Sequence, residues 1–453
     1  MRQVHEARRA ERAARPVRAG VAVLLALALM GGGPAAAAER LELTLREAVE
    51  LGLAGSRELA IADSKVVAAD ARRSQAASTF FPQLSASGSY TRLDEAPSMD
   101  LGAFGGEGKI YLGDDDIYSI GLTVQQPLFT GGALLSAHGA ARHAANAEVL
   151  ARRRSEDEAR YGITGAYLGL VQAREALKVM DDAVAQMSRH LADVEALYEQ
   201  GMMIGSDALL ARVRMAEVEL GRTRARHAVS LANAALAFSL GVSLDTEIEP
   251  TDPLAGAALP ERSLEAWTGA ALAARSDLGA MREAVGAAGK GVSIARSGYL
   301  PRVMAIGTYA WDRPDRQYEP EFYEHWHVTL AAEMSIFDWG ATRGRVREAR
   351  AGLAQAERSR ELLEDAVRLD VRRSFLAREE ATAALSIAEG AAAQASEGLR
   401  VARESFRSGV VTSSAVLDAQ ASLTGAEMSR IAALAGLRLA EAGLLLAAGV
   451  AGE

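Results

Sequence analysis

Over most of this chain apolar positions recur at helical spacing; in four short stretches they alternate like strands. From Ala133 to Gln200 no proline occurs and every glycine is isolated. Ile163, Tyr167, Leu170, Leu177, Met180, Val184, Met187, Leu191, Val194 and Tyr198 step by 3, 4 or 7. That seam predicts a coiled-coil helix sustained over about five heptads. Such a helix is about 100 Å long, more than an ordinary globular core needs. Before it, Thr44-Leu45-Arg46-Glu47 fits a capping box and opens a helix running to about Thr79. Phe81-Pro82 ends that helix, because proline cannot continue the ladder. Leu84 to Thr91 and Tyr118 to Gln125 alternate apolar or small residues with polar ones, predicting strands at about 83–91 and 118–127. The 93–117 connection, with Asp114-Asp115-Asp116, reads as a solvated acidic loop. A further helix runs from Ser206 to about Leu240, ending at Gly241.

The plan then repeats. Tyr198 to Leu209 (YEQGMMIGSDAL) and Phe406 to Leu417 (FRSGVVTSSAVL) share one layout, with Gly409 at Gly201 plus 208 and Ser414 at Ser206 plus 208. In each, the glycine is suited to close a helix in the left-handed conformation, and the serine to cap the next. Ser263 lies at Thr44 plus 219, Tyr299-Leu300-Pro301 at the same offset from Phe80-Phe81-Pro82, and Phe337-Asp338-Trp339-Gly340 at 208 from Phe129-Thr130-Gly131-Gly132. Strands three and four are expected at about 302–311 and 326–336, and a second long helix from Gly340 to Ser408. The seam recurs 208 residues on, at Val371, Phe375, Leu385, Ala388, Ala392, Ala395, Leu399, Ala402 and Phe406. Several are smaller than their counterparts, so the two helical hairpins should nest closely. The expected organisation is a signal segment at 1–38, a first repeat at 39–241, a linker at 242–262 and a second repeat at 263–453. A duplication that stays in register around a shortened loop supports it.

Lengths then predict shape. Two helices of about 36 residues laid end to end match one of about 69, so each chain should offer four parallel columns. The turnarounds fall at one end and the β-hairpins at the other. Four strands cannot close a barrel, and open edges in lipid are costly. The strands must therefore be shared among chains; three would give twelve, with two or four not excluded by closure alone. The predicted fold class is mainly α with a small β part: a duplicated helix–β-hairpin–long helix–helix repeat. It would form an α-helical barrel plus a trimer-shared 12-stranded transmembrane β-barrel.

Composition narrows the partners. Residues 1–38 carry six arginines, an apolar core from Ala19 to Met30 and Ala36-Ala37-Ala38 before Glu39, as in an export signal. Removing six Arg and two Glu takes the net charge from −9 to about −13, which disfavours nucleic acid. No later run of 18 apolar residues predicts a membrane helix. Cysteine is absent, excluding disulfides and thiolate sites. No nucleophile triad, cleft-forming pair of carboxylates or phosphate loop is present, so no enzyme and no cofactor is expected. His325-Trp326-His327 places two imidazoles on one strand face, but without further partners at ligand spacing no metal site is expected. Tyr90, Tyr118, Tyr309, Trp311 and Trp326 near the hairpin loops are expected to form a membrane-interface girdle.

These features taken together resemble the TolC-like outer membrane factor family. The residues that carry the resemblance are Thr44 to Ala48 (TLREA), Phe81-Pro82, the two F-x-x-G stretches after strands two and four, and both glycine-containing turns. The resemblance covers essentially all of 39–449. It implies a homotrimeric channel in the outer membrane of a Gram-negative bacterium, with a tunnel in the periplasm. Its partners would be a periplasmic adaptor, an inner-membrane transporter and outer-membrane lipid. It also implies an acidic constriction near the second turn, with Asp418 as candidate and Asp207 and Arg212 in the matching part of repeat one; the acid commonly found three residues earlier is Ala415 here. Gly201, Met202, Met203, Ser206, Gly409, Val410, Val411 and Ser414 would form the adaptor-docking turns. The expected function is the exit duct of a tripartite efflux pump. A one-step (type I) protein secretion channel is the sister alternative, and a periplasmic coiled-coil adaptor or scaffold without a channel the alternative of another class.

Overall fold

The structure is a computed structural model describing residues 40–450, apart from 102–104, 106–107, 112–113, 255–258, 316–318 and 320. The expected export signal lies outside the described residues. Strand β1 (Arg40–Leu43) leads into helices α1 (Leu45–Gly55) and α2 (Arg57–Ser78). Then come β2 (Gln83–Arg92), the short pair β3 (Ser98–Asp100) and β4 (Lys109–Tyr111), and β5 (Asp116–Phe129). Helices α3 (Ala133–Glu199) and α4 (Gly205–Leu240) complete the first half, and β6 (Glu247–Pro250) follows. The second half holds α5 (Leu264–Ala274), α6 (Ser276–Arg296), β7 (Arg302–Arg313), β8 (Tyr323–Glu333), α7 (Ala341–Arg407) and α8 (Ser413–Ala448). The mainly helical fold with a small sheet is as the sequence predicts.

The long helices are 67 residues each and their hairpin partners 36 each, so the duplication is one of length as well as sequence. Thr44 closes its capping box on Glu47, accepting from the Glu47 amide at 3.2 Å while Glu47 Oε2 accepts from the Thr44 amide at 2.9 Å. Ser263 caps α5 through the Ala266 amide at 3.2 Å.

The first and fifth helices are shorter than expected. The predicted helix from Thr44 to Thr79 breaks at Ser56, which is extended (ψ 118) and caps α2 through the Leu59 amide. Its counterpart breaks at Arg275 (ψ 124). The break arises from packing: the end of α4 abuts the end of α1, so closely that a Cβ on Gly55 would lie 2.7 Å from the Leu240 carbonyl oxygen. The chain therefore steps aside, and α2 rather than the whole segment continues the column of α4. α8 meets Arg275 in the same way, a Cβ on Gly449 falling 3.0 Å from the Arg275 amide nitrogen. By contact, α2, α3, α6 and α7 lie side by side at the sheet end, and α3, α4, α7 and α8 at the turn end.

Within the 242–262 stretch, Glu247–Pro250 forms strand β6. β6 pairs in parallel with β1, Arg40 opposite Glu247 through Leu43 opposite Pro250. Tyr167 on α3 pins it: its hydroxyl donates to the Leu43 carbonyl at 3.0 Å and accepts from the Asp252 amide at 3.2 Å. Asn233 brackets Ile248 and Thr246 through its amide oxygen and nitrogen. One apolar core gathers here around Tyr167, Leu170, Leu236 and Ile248, and a second around Trp267, Leu278, Val367, Val371 and Leu444. Removing such a side chain from water stabilises by about 1.5–3 kcal/mol.

Helix α8 is long and apolar enough to cross a membrane, a property the search for unbroken apolar runs missed. It packs against α7 and α3 instead, its small residues allowing close approach.

Candidate functional site

Four strands form one antiparallel sheet in the order β2-β5-β7-β8. β8 occupies Tyr323–Glu333, three residues earlier than expected, because the chain leaves the sheet before Met334. Register and alternation sort the side chains onto two faces. Leu84 opposes Val124, Ala86 opposes Leu122, Ile120 opposes Trp311, and Gly307 opposes Val328 on one face. Ser85 opposes Thr123, Ser89 opposes Ser119, Ser119 opposes Asp312, and Thr308 opposes His327 on the other. The first face is apolar yet exposed: Leu84 is 70% accessible, Val328 71% and Trp326 72%. The second is lined by hydroxyls, imidazoles and a carboxylate. Edges β2 and β8 have no partner strand among the described residues.

All five expected girdle residues fall on the apolar face, toward the loop end. Tyr90 and Tyr118 are cross-strand partners with rings 4.9 Å apart; Tyr309 pairs with Trp326 and packs edge-on against Trp311 at 4.6 Å. A second aromatic set sits at the helix end of the sheet: Phe81, Phe129, Phe337 and Trp339, all exposed. Sequence reading used these only as repeat markers, although their position after each strand was the signal. Trp339 takes φ 54 where repeat one has Gly131 at φ 61. Twelve residues of β7, at about 3.3 Å each and tilted about 40°, span about 30 Å.

The loop end is not simply solvated. β3 and β4 form their own ladder, and the acidic run is paired. Arg92 bonds Asp115 at 2.7 Å and Asp116 at 2.9 Å, and Arg313 reaches Asp114 at 3.5 Å.

At the opposite end, both turns close their helices alike. Gly201 (φ 71) donates to the Tyr198 carbonyl while Met202 donates to Leu197; Gly409 (φ 71) donates to Phe406 while Val410 donates to Ser405. This is the two-bond closure that requires a left-handed residue. The expected serine caps are not formed. α4 starts at Gly205 with Ile204 extended before it, and α8 starts at Ser413 after Thr412. The N-cap position of each helix lies two residues before the expected serine, so Ser206 and Ser414 lie inside the first turn, and Ser414 Oγ meets Thr412 Oγ1 at 2.8 Å. Met202, Ile204 and Val410 protrude, 64%, 67% and 75% accessible. Met203 instead packs on a small core of Met187, Val194, Ala208, Ala211 and Leu417, and Val411 lines a cavity of about 730 Å³ between the turns. Ile204 was absent from the expected docking set.

The three constriction candidates are not brought together. Asp207 lines that cavity, in the first turn of α4 where the helix dipole favours a carboxylate. Arg212 pairs with Glu195 across the hairpin at 2.9 Å. Asp418 is exposed and faces Arg214; the Glu217 hydrogen bond first, and Asp418 as a smaller contribution, hold that guanidinium above its ordinary value.

A buried junction that sequence reading missed ties the hairpins. His190 Nε2 lies 2.9 Å from Ser413 Oγ, and its ring meets Phe406 at 5.2 Å. Arg403 donates to Gln186 at 2.7 Å and Gln420 at 2.9 Å. Burial pushes His190 below its ordinary value, with Arg403 acting the same way and Asp193 opposing. The signal was present: His190 follows Met187 by three and falls on the apolar stripe.

The sequence pattern of the Outer membrane efflux protein family matches residues 48–242 and 267–450, one block in each half. A comparison with curated protein sequences gives no match. Among solved structures the chain is similar to the outer-membrane channel OprN (21% identity, 89% of each chain, TM-score 0.77). It is also similar to the CmeC outer membrane channel of Campylobacter jejuni (17% identity, 90% of this chain and 86% of that one, TM-score 0.77). A third is the outer membrane protein VceC of Vibrio cholerae (20% identity, 89% and 96%, TM-score 0.75). These likenesses concern the fold, while the family match covers most of both repeats. With a sheet of two unlike faces at one end and long helical hairpins at the other, the chain belongs to the outer membrane efflux protein family, as an outer-membrane exit duct for efflux.

Proposed function

We infer that three copies of this chain close their four-stranded sheets into one twelve-stranded barrel in the outer membrane. The observation that carries this is the sheet itself: one exposed apolar face, one hydroxyl-lined face, and two edges unpaired among the described residues. In hydrocarbon an unpaired edge costs several kcal/mol for each unsatisfied group, so edges β2 and β8 of neighbouring copies pair. The apolar face then meets lipid and the hydroxyl face lines the bore. Aromatics at both ends of the strands sit at the two interfaces. The helices continue the bore as a tunnel in the periplasm of a Gram-negative cell, reached by export through the N-terminal signal. The turns present Met202, Ile204 and Val410 to a periplasmic adaptor, which couples the duct to an inner-membrane transporter in a tripartite pump. The duct performs no chemistry; its work is steric and electrostatic.

Membrane fractionation, mild detergent extraction and native mass of the mature protein test this reading. An outer-membrane species of three chains is expected, with dye accumulating in a deletion strain. A soluble periplasmic monomer would overturn it.

A further inference from the structure

His325 and His327 stand two residues apart on the hydroxyl-rich face of β8, rings parallel within 13° and centroids 6.3 Å apart. Small residues face them, Ala310 opposite His325 and Thr308 opposite His327. Asp312 on β7 shares that face, and its Oδ2 lies 3.7 Å from His325 Nδ1. Its other oxygen accepts from Ser119 Oγ at 2.6 Å, which holds the carboxylate in place. Tyr323 stacks on His325 at 5.2 Å. His325 Nδ1 is buried without a hydrogen-bond partner, an unusual state for a polar atom.

We propose that His325 and His327 chelate a borderline divalent cation such as Zn²⁺, Ni²⁺ or Cu²⁺, with Asp312 as a positioning residue. At 3.7 Å the carboxylate does not bond Nδ1, but its charge favours the proton there and leaves the Nε2 lone pair for an ion; closing that gap on metal binding would give the carboxylate, histidine and metal arrangement common at such sites. Imidazoles at alternate positions of a strand share a face, and small side-chain rotations let both reach one ion at about 2.1 Å. Imidazole ligands suit these cations rather than magnesium or calcium. Two protein ligands leave the remaining positions to water, which suits an ion in transit. The sequence hid the third participant, since Asp312 reaches this face from the neighbouring strand. Placing the site in the bore rests on the barrel reading above.

The test is calorimetric titration of Zn²⁺ into the full detergent-extracted protein, beside bilayer conductance with Zn²⁺ added. One ion per chain and a reversible fall in conductance are expected. His325→Ala/His327→Ala should abolish zinc binding and the zinc-dependent fall in conductance, while the variant still assembles and conducts without metal. Asp312→Asn should weaken binding about tenfold at unchanged stoichiometry, with Asp312→Glu restoring it. No binding by the native protein, or the same binding by the double variant, overturns the site. Binding without any change in conductance overturns its place in the bore. Absence of conductance before zinc is added counts against the duct reading instead, and calorimetry still decides the site.

Discussion

Arg275 Nη1 donates to Asp370 Oδ2 at 2.8 Å, joining the break between α5 and α6 to the long helix α7. The same nitrogen reaches the Ala447 carbonyl at 3.2 Å, so one guanidinium caps α8 while it locks the column junction. Burial opposes the charge, but the Asp277 and Asp370 hydrogen bonds override it and raise the guanidinium above its ordinary value. Arg275→Ala would remove the guanidinium partner of Asp277 and Asp370 and the cap on the Ala447 carbonyl, while Asp277 keeps its bond from the Leu278 amide and Asp370 stays half exposed. A loss of about 1.5–3 kcal/mol is expected in the thermal unfolding of the extracted protein. Arg275→Lys should recover only part of it, because an ammonium cannot reproduce the paired bonds to Asp277.

The His190 junction should loosen in acid. Burial lowers its imidazole's affinity for a proton below that in the separated state. The packed state therefore binds fewer protons, and its stability rises with pH. The contribution is complete above the ordinary value near 6.5 and falls away as pH drops through and below it. Protection of the amides across residues 405–411, measured as the exchange rate relative to the intrinsic rate at each pH, should fall between about pH 7.5 and pH 5.5. His190→Gln should keep a bond to Ser413 and remove that pH slope; an unchanged slope would exclude His190 as its source.

Gly409 sits at φ 71, a conformation proline cannot take, and its amide bonds the Phe406 carbonyl. Gly409→Pro should abolish transport while the assembly survives, since the turn lies far from the sheet. Normal efflux by that variant would exclude this turn as a docking contact.

The two faces of β8 should respond oppositely to charge. Val328→Arg places a guanidinium on the apolar face, at a cost of about 2–4 kcal/mol if that face meets the middle of a bilayer. Thr329→Arg, on the next position and the other face, should be tolerated. Yield of assembled protein in outer-membrane fractions measures both, and equal yields would contradict the assignment of faces.

Asp418→Ala should lower cation preference in single-channel recordings. The reversal potential under a salt gradient reads this directly, and an unchanged value would remove Asp418 from the constriction.

Much of the architecture was legible because its signals are local. Helix length follows from an uninterrupted seam, strand faces from alternation, and turn geometry from glycines that must take positive φ. The duplication made each signal visible twice. Capping was legible at Thr44 and Ser263, where the hydroxyl accepts from the amide three residues on. It was misread at Ser206 and Ser414, where an earlier extended residue starts the helix.

What the sequence by itself determined is the periodic part: the two long helices, the four strands with their apolar and polar faces, and the turns at a fixed offset. Each depends on residues within a few positions of one another. Tertiary structure alone decided the rest. It broke the first helix of each repeat where another helix end pressed against it, and strapped β6 to β1 through Tyr167. It set Arg275 on Asp370, His190 on Ser413 and Asp312 beside His325. These pairs are separated by between 13 and 223 residues, and no periodicity links them. Only packing, which fixes distance without regard to sequence separation, brings them together.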